Sequence, residues 1–257
     1  MTDVAEKPLV TFALFAYNQE RYIREAVEAA LTQDYPNLEI ILSDDCSSDK
    51  TFDFMCDVVA GYSGNHKIVL RRNSENLGIA RHINAVFSLA NGGFIVFAAG
   101  DDVSVPDRVT RLVDCWVGAG CGDISVFSAM DDIDPSCLVT LGKHKSSRDW
   151  AMVRPLDMLI RNLGVFGASH ACAKSLLCDF PGLIDRVVNE DHVIPFRAAL
   201  RGGILYLPVS LVKYRSGSGI ASNYGRQRSL RERLSPVVVI RPYLVAVQKS
   251  IDIAHCG

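Results

Sequence analysis

"VTFALFAYNQERYIREAVEAALTQDYPNLEIILSDDCSSDKT", residues 10–51, decides the fold. It opens inside an apolar run, residues 9–17, that reads as a buried strand. Residues 18–33 then set Tyr22, Ala26 and Ala30 beside Ile23, Val27 and Leu31, one stripe of an amphipathic helix. Residues 35–43, "YPNLEIILS", supply a second strand. "DDCSSDKT" leads into a helix through Phe52, Met55 and Val59, with Ser48 or Asp49 as its N-cap. Apolar strands alternating with helices of this length imply an α/β architecture, a parallel sheet with helices on both faces.

The alternation continues outward. Residues 66–72 read as a strand, 78–91 as a helix closed by Gly92 and Gly93, and 94–99 ("FIVFAA") as a strand. Beyond Pro106 come a helix over 107–120 and a strand over 123–130. Residues 131–150 are polar and irregular, a loop or a surface hairpin. A short helix (154–162), a strand (166–174), a helix (189–203) and an extended segment (204–215) follow. No repeat or linker interrupts the chain, so one domain is expected over 1–225, with halves 8–105 and 106–225. The tail, 226–257, sets Arg226, Arg228, Arg231, Arg233 and Arg241 around an apolar segment. It reads as a basic helix on an anionic membrane surface or as a helix docked on the domain or a second subunit. Docking is favoured, because Pro236 and Pro242 break any long helix.

Composition narrows the function classes. Of 257 residues 49% are hydrophobic and 22% charged, which suits a soluble domain with a large core. With 27 basic against 29 acidic residues, the chain lacks the footprint of nucleic-acid binding. "MTDVAEKPLV" has no signal-peptide pattern and no stretch is long and apolar enough to span a bilayer, so a cytoplasmic protein is expected, with the inner membrane face as a peripheral option. Eight cysteines form no CxxC pair and are expected to be buried free thiols, not disulfides or zinc ligands.

In a doubly wound sheet, ligands bind beyond the carboxyl ends of the strands. Tyr17-Asn18-Gln19-Glu20, Asp44-Asp45, Asn76-Leu77-Gly78 and Asp101-Asp102 all fall at such ends. Acids crowded on one rim are costly unless a cation sits among them. No GxGxxG follows the first strand and no GxxxxGK[ST] occurs, which disfavours a dinucleotide site and excludes a P-loop. What remains is a nucleotide held by its base and ribose, with a divalent metal bridging its phosphates.

At this point the residues carry a resemblance. The opening segment resembles the start of the inverting family 2 glycosyltransferases, as do "ENLGIARHINAVFSLANGGFIVFAAGDDVSVPDR" (75–108) and "NEDHVIPFRAALRGGILYLPVSLVKYR" (189–215). The likeness spans about residues 8–216. It implies a GT-A fold: a Rossmann-like, mostly parallel central sheet flanked by helices, with a small acceptor-side subregion. By the same resemblance, 8–105 is the nucleotide-binding half and 106–225 the acceptor-side half. Asp45 or Asp44 would accept the ring N–H of a uracil or thymine, although either could cap a helix instead. Ala16, Tyr17, Asn18 and Glu20 would line the base and ribose pocket; a plain strand-to-helix turn is the competing reading. Asn76, Gly78 and Arg81 would border the nucleotide, with Arg81 near its phosphates or solvated on its helix. Gly100, Asp101 and Asp102 would meet the ribose, and Asp101 and Asp102 would hold Mg²⁺ or Mn²⁺. The fuller metal motif has another acid two places before Asp101, where this chain has Ala99. Asp191 matches the base that takes the acceptor proton, with Glu190 orienting the acceptor. His170 and His192 read as structural histidines, and Lys213 and Arg215 as secondary candidates for the diphosphate.

The expected activity is transfer of a sugar from a UDP- or dTDP-sugar to a hydroxyl of a glycan or lipid-linked acceptor, in cell-surface polysaccharide synthesis. The rival is an inactive nucleotide-sugar-binding protein of the same fold, which Ala99 favours and the intact Asp101, Asp102 and Asp191 disfavour. A nucleotidyltransferase would want a glycine-rich basic loop where the chain has "AYNQER".

Overall fold

A computed structural model describes residues 7–134, 136–185, 187, 189–216, 245 and 248–256. Four parallel strands form its first half: β1 (Val10–Ala16), β2 (Leu38–Asp44), β3 (Lys67–Arg72) and β4 (Phe94–Ala99), in the order β3-β2-β1-β4. Register pairs Ala16 with Asp44, and Phe15 with Ala99, so these strands end on one rim.

Side chains alternate between two cores. Val10, Phe12 and Leu14 of β1 join Phe94 and Val96 of β4 on one face, while Ala13, Ile95 and Phe97 point to the other. Helices α1 (Ile23–Leu31), α2 (Thr51–Ala60) and α4 (Arg108–Gly118) cover the first face. Three others, α3 (Gly78–Phe87), α6 (Ser175–Cys178) and α7 (Glu190–Arg201), cover the second. In α1 the buried Ile23, Ala26, Val27, Ala30 and Leu31 recur at the three- and four-residue spacing that keeps a stripe on one side. At the start of α2, Asp49 Oδ1 accepts the Thr51 N–H (2.9 Å), satisfying a donor the helix cannot.

The uninterrupted parallel order ends with this half. β8 (Ala171–Ala173) runs antiparallel to both β4 and β6 (Ser125–Ile133). β9 (Ile204–Arg215) lies parallel to β6 with register shifts around Ala129, and the short β5 (Val103–Ser104) pairs antiparallel with β9. The irregular segment 131–150 is a hairpin in its first part: β7 (Val139–His144) folds back on β6. The strand expected over 166–174 shortens to β8, because Gly167–Ser169 form a 3-10 turn held by Ser169 Oγ bonding to Ser128 O (2.8 Å) and Phe166 O (3.1 Å). α5 (Pro155–Ile160) precedes that turn.

The cysteines correct one expectation. All eight are free thiols, but Cys172 alone is buried, and Cys121, Cys178 and Cys256 are exposed. Most of the tail, including Arg226–Arg241, lies outside the described residues. Its described end, residues 248–256, is helical and docked on the domain: Arg197 of α7 grips Asp252 with two bonds (2.9 and 3.1 Å), both side chains fully buried. No described helix is long and apolar enough to cross a membrane.

Candidate active site

A cleft of about 710 Å³ opens at the carboxyl rim of β1, β2 and β4. Ala16, Tyr17, Asp45, Asn76, Gly78, Asp101, Asp102, Glu190 and Asp191 line it, bringing residues from opposite ends of the chain together. Five carboxylates therefore face one space whose described walls hold no lysine or arginine.

Asp45 sits just past β2, and three donors fix its carboxylate. Oδ1 accepts from Asn73 Nδ2 (2.6 Å) and Leu77 N (2.9 Å), and Oδ2 accepts from Gly78 N (2.9 Å). Gly78 makes the last bond with φ of +73°, a conformation in which a side chain would be strained. Asp44, by contrast, is turned away. Its oxygens accept Ser47 N (2.9 Å) and the Ser47 hydroxyl and pair with Arg72 (3.3 Å), so it shapes the turn and leaves the cleft to Asp45.

Asp101 and Asp102 follow β4 and are 5% and 6% exposed. Arg215, the last residue of β9, braces both: its N–H donates to Asp102 Oδ1 (2.9 Å) and its Nε to the Asp101 carbonyl (3.0 Å). Gly100 lets the chain pass here, since a Cβ would lie 2.4 Å from Gln19 Oε1. Burial and the neighbouring Asp101 charge push the Asp102 carboxyl up to about 8. Hard carboxylate oxygens suit Mg²⁺ or Mn²⁺. No cluster of three His, Cys, Asp or Glu side chains among the described residues could hold an ion alone, and Ala99 on the wall adds no oxygen. The pair thus fits an ion shared with a ligand's own phosphates.

Glu190 and Asp191 start α7 and face the cleft half-buried. Burial, then the Asp191 charge, raises the Glu190 carboxyl to about 8, while burial raises Asp191 to about 6. Near neutral pH the pair therefore holds about one proton, with Asp191 the more acidic member. Pro195 shapes this end of the helix. Having no N–H, it cannot bond the carbonyl of residue 191, and Asp191 O instead accepts Val165 N (3.0 Å). That bond seats the 165–167 loop against the pair, where a Cβ on Gly167 would stand 3.2 Å from Asp191 Cβ.

Several expected site residues lie off the cleft wall. Asn18 (φ +51°) turns its Oδ1 to Ser48 N (2.8 Å), and Glu20 accepts from Lys50 N (3.0 Å), so both lock the β1–α1 turn to the start of α2. Arg81 is an exposed partner of Glu75 (3.2 Å). Lys213 is exposed, and Arg215 is buried behind the aspartates. His170 is a buried structural histidine bonded to Ser125 Oγ (3.0 Å), whereas His192 keeps a buried Nδ1 with no hydrogen-bond partner among the described residues. Gln19, His82, Met130, His144, Asn189 and Tyr214 line the cleft without having been singled out as site residues. For Gln19 and Asn189 the sequence held a signal, since each adjoins an expected site residue. The others reach the cleft through helix packing and through β6–β7 and β6–β9 pairing.

The architecture is that of the GT-A glycosyltransferases. A solved structure of TarS from S. aureus in complex with UDP-GlcNAc superposes with a TM-score of 0.65 at 19% identity, covering 93% of this chain and 66% of that one. The mannosyltransferase PcManGT from Pyrobaculum calidifontis, in complex with GDP-Man and Mn²⁺, gives 0.62 at 18% identity, covering 97% and 75%. Residues 11–134 match the sequence model of glycosyl transferase family 2. Over 106 residues it is 37% identical to the putative glycosyltransferase EpsE of Bacillus subtilis, 41% of this chain and 37% of that protein. Over 105 residues it is 32% identical to the Escherichia coli glucosyltransferase WfaP, named for UDP-Glc as donor and GlcNAc-diphosphoundecaprenol as acceptor, 41% of this chain and 40% of that protein. These matches span well under half the length of either relative.

Proposed function

We propose that the chain is an inverting glycosyltransferase. It transfers a sugar from a nucleotide-diphosphate sugar, UDP- or dTDP-linked, to a hydroxyl of a glycan or lipid-linked acceptor in cell-surface polysaccharide synthesis. The observation that carries this reading is the single cleft in which Asp45, the Asp101–Asp102 pair and the Glu190–Asp191 pair face one another with no lysine or arginine on the described walls. A diphosphate can enter such an acidic space only with a cation. Residues 8–105 form the donor half and 106–225 the acceptor half of this reading.

Tyr17 and Asn76 border the base and ribose beside Asp45. Asp101 and Asp102 hold Mg²⁺ or Mn²⁺, which when bound supplies positive charge to the departing diphosphate. Asp191, the anion of its pair, accepts the proton of the acceptor hydroxyl as that oxygen bonds to the anomeric carbon from the face opposite the diphosphate. The bond from the anomeric carbon to the diphosphate oxygen breaks, and its electron pair leaves with the nucleotide. Inversion follows from this one displacement, and protonated Glu190 can donate a hydrogen bond that orients the acceptor.

A thermal-shift screen of UDP, dTDP, GDP and CMP with and without Mn²⁺ tests the donor; the expected result is Mn²⁺-dependent stabilisation by UDP or dTDP, lost in Asp101→Ala. Asp191→Asn is expected to lower turnover by a factor of about 10²–10⁴ with UDP affinity within twofold of the parent. Unchanged turnover would remove Asp191 from the role of base.

A further inference from the structure

His82 is buried in α3 (2% exposed), yet it reaches the cleft wall beside Asp45. Its Nε2 lies 2.6 Å from Ser43 Oγ, and the same hydroxyl accepts from Arg71 Nη1 (2.6 Å). A serine hydroxyl has one proton to give. Arg71 can only donate, so it occupies a lone pair of Ser43 Oγ. The arrangement that also gives the hydroxyl proton an acceptor has Ser43 donating to His82 Nε2, which places the imidazole proton on Nδ1. Arg71 is itself fixed, donating through its other terminal nitrogen to Asn73 Oδ1, while Asn73 Nδ2 donates to Asp45 (2.6 Å). One relay thus orients both His82 and Asp45.

The pair is arranged to meet a third group. His82 Nδ1 stands 4.0 Å from Asp45 Oδ2, too far for a hydrogen bond between them. Oδ1 already accepts two donors and Oδ2 one, so Oδ2 retains an acceptor direction. An N–H donor and a carboxylate acceptor therefore sit side by side on the wall. Burial, together with the Arg71 charge, holds the imidazole neutral with a pKa near 4, against the pull of Asp45. Phe15 packs edge-on against the ring (5.1 Å between centroids) and limits its rotation.

We propose that His82 is a nucleobase-reading residue: its Nδ1–H donates to a ring carbonyl adjacent to the ring N–H that Asp45 accepts, selecting uracil or thymine over cytosine. In cytosine the corresponding ring nitrogen is an acceptor, which would face the Asp45 carboxylate with no proton between them. The inference rests on the nucleotide-sugar reading of the cleft and adds to it the residue that pairs with Asp45.

The test is calorimetric titration of UDP and CDP, each with Mn²⁺, into the parent, His82→Asn and His82→Gln, with melting curves to establish that each variant is folded. Asparagine can place an amide N–H near the Nδ1 position, whereas glutamine reaches toward Ser43 and leaves the cleft side without a donor. The expected result is UDP affinity within about threefold of the parent for His82→Asn and about tenfold weaker for His82→Gln, with the preference for UDP over CDP reduced in the latter. Equal affinities across the three proteins would overturn the proposal, as would a parent that binds CDP as well as UDP. A parent that binds no nucleotide at all would instead overturn the glycosyltransferase reading. Nitrogen-15 NMR of the parent reads the tautomer without mutation: an Nδ1–H imidazole is expected at His82, and an Nε2–H form would overturn the relay.

Discussion

Between Val10 and Ala99 the interior is filled by Phe12, Leu14, Ile40 and Phe94, whereas the largest fully buried side chains among the described residues, Arg108, Arg197 and Arg215, all follow β4. The first region closes by stacking apolar strands between helices. In the second, guanidinium groups bind main-chain oxygens across elements that no continuous ladder joins. Arg108 donates to Phe97 O (2.7 Å) and Ala168 O (3.0 Å), tying the end of β4 to the loop below Asp191. Arg197 donates to Leu176 O (3.2 Å) and Pro181 O (2.7 Å) as well as to Asp252. Burial lowers the Arg108 pKa to about 9, against the attraction of Asp102, a sign of how far these cations are from water. Both halves rest on backbone ladders, and the mixed half adds directional side-chain bonds between its parts.

That contrast can be broken most severely at Arg197. Arg197→Met leaves Asp252 buried without its cation and is expected to cost about 3–5 kcal/mol, read as a drop in the denaturation midpoint. Arg197→Met combined with Asp252→Leu should recover most of that loss, because no buried charge remains. If the single variant matches the parent, the second half does not depend on its buried cations.

A smaller effect separates the carboxylates of the two halves. Asp45 is held by three N–H donors, while Asp191 stands beside Glu190 with a pKa raised to about 6 by burial. As pH falls through 6 Asp191 takes up a proton and can no longer accept the acceptor's, so kcat should drop about tenfold per pH unit below that point. A rate that stays flat down to pH 5 would separate Asp191 from the proton transfer.

The smallest effect is expected at Arg81, whose side chain is 46% exposed on the surface of the first half. Arg81→Ala should change stability by no more than about 0.5 kcal/mol and UDP affinity by less than twofold, by denaturation and calorimetry. A tenfold loss of UDP affinity would return Arg81 to the phosphates.

The sequence is most legible where periodicity and burial coincide. β4 and β9 run over the residues their apolar patterns mark, and β1 falls short of its marked run by one residue at each end. Asp45, Asp101, Asp102, Glu190 and Asp191 come from motifs and meet at one cleft. Asp44 and Asp45 are alike as letters, and the hydroxyl of Ser47 separates them by occupying one carboxylate. His82 looks like any residue of an amphipathic helix until Ser43 and Arg71 are seen beside it. The partners of β8 and β6 were illegible because short strands in mixed pairing carry no alternation long enough to reveal a neighbour.

The grip of Arg215 on Asp101 and Asp102 also bears on how the site comes into being. It joins positions 113 and 114 residues apart, so closing it requires a long loop of chain to be ordered first. The parallel strands that present the two aspartates can pair as soon as residue 99 exists, but the brace forms only after β9 has threaded in beside β6. In a ribosome-bound chain ending near residue 200, the acids would be present without their brace. Maturation of the cleft is thereby tied to completion of the second half.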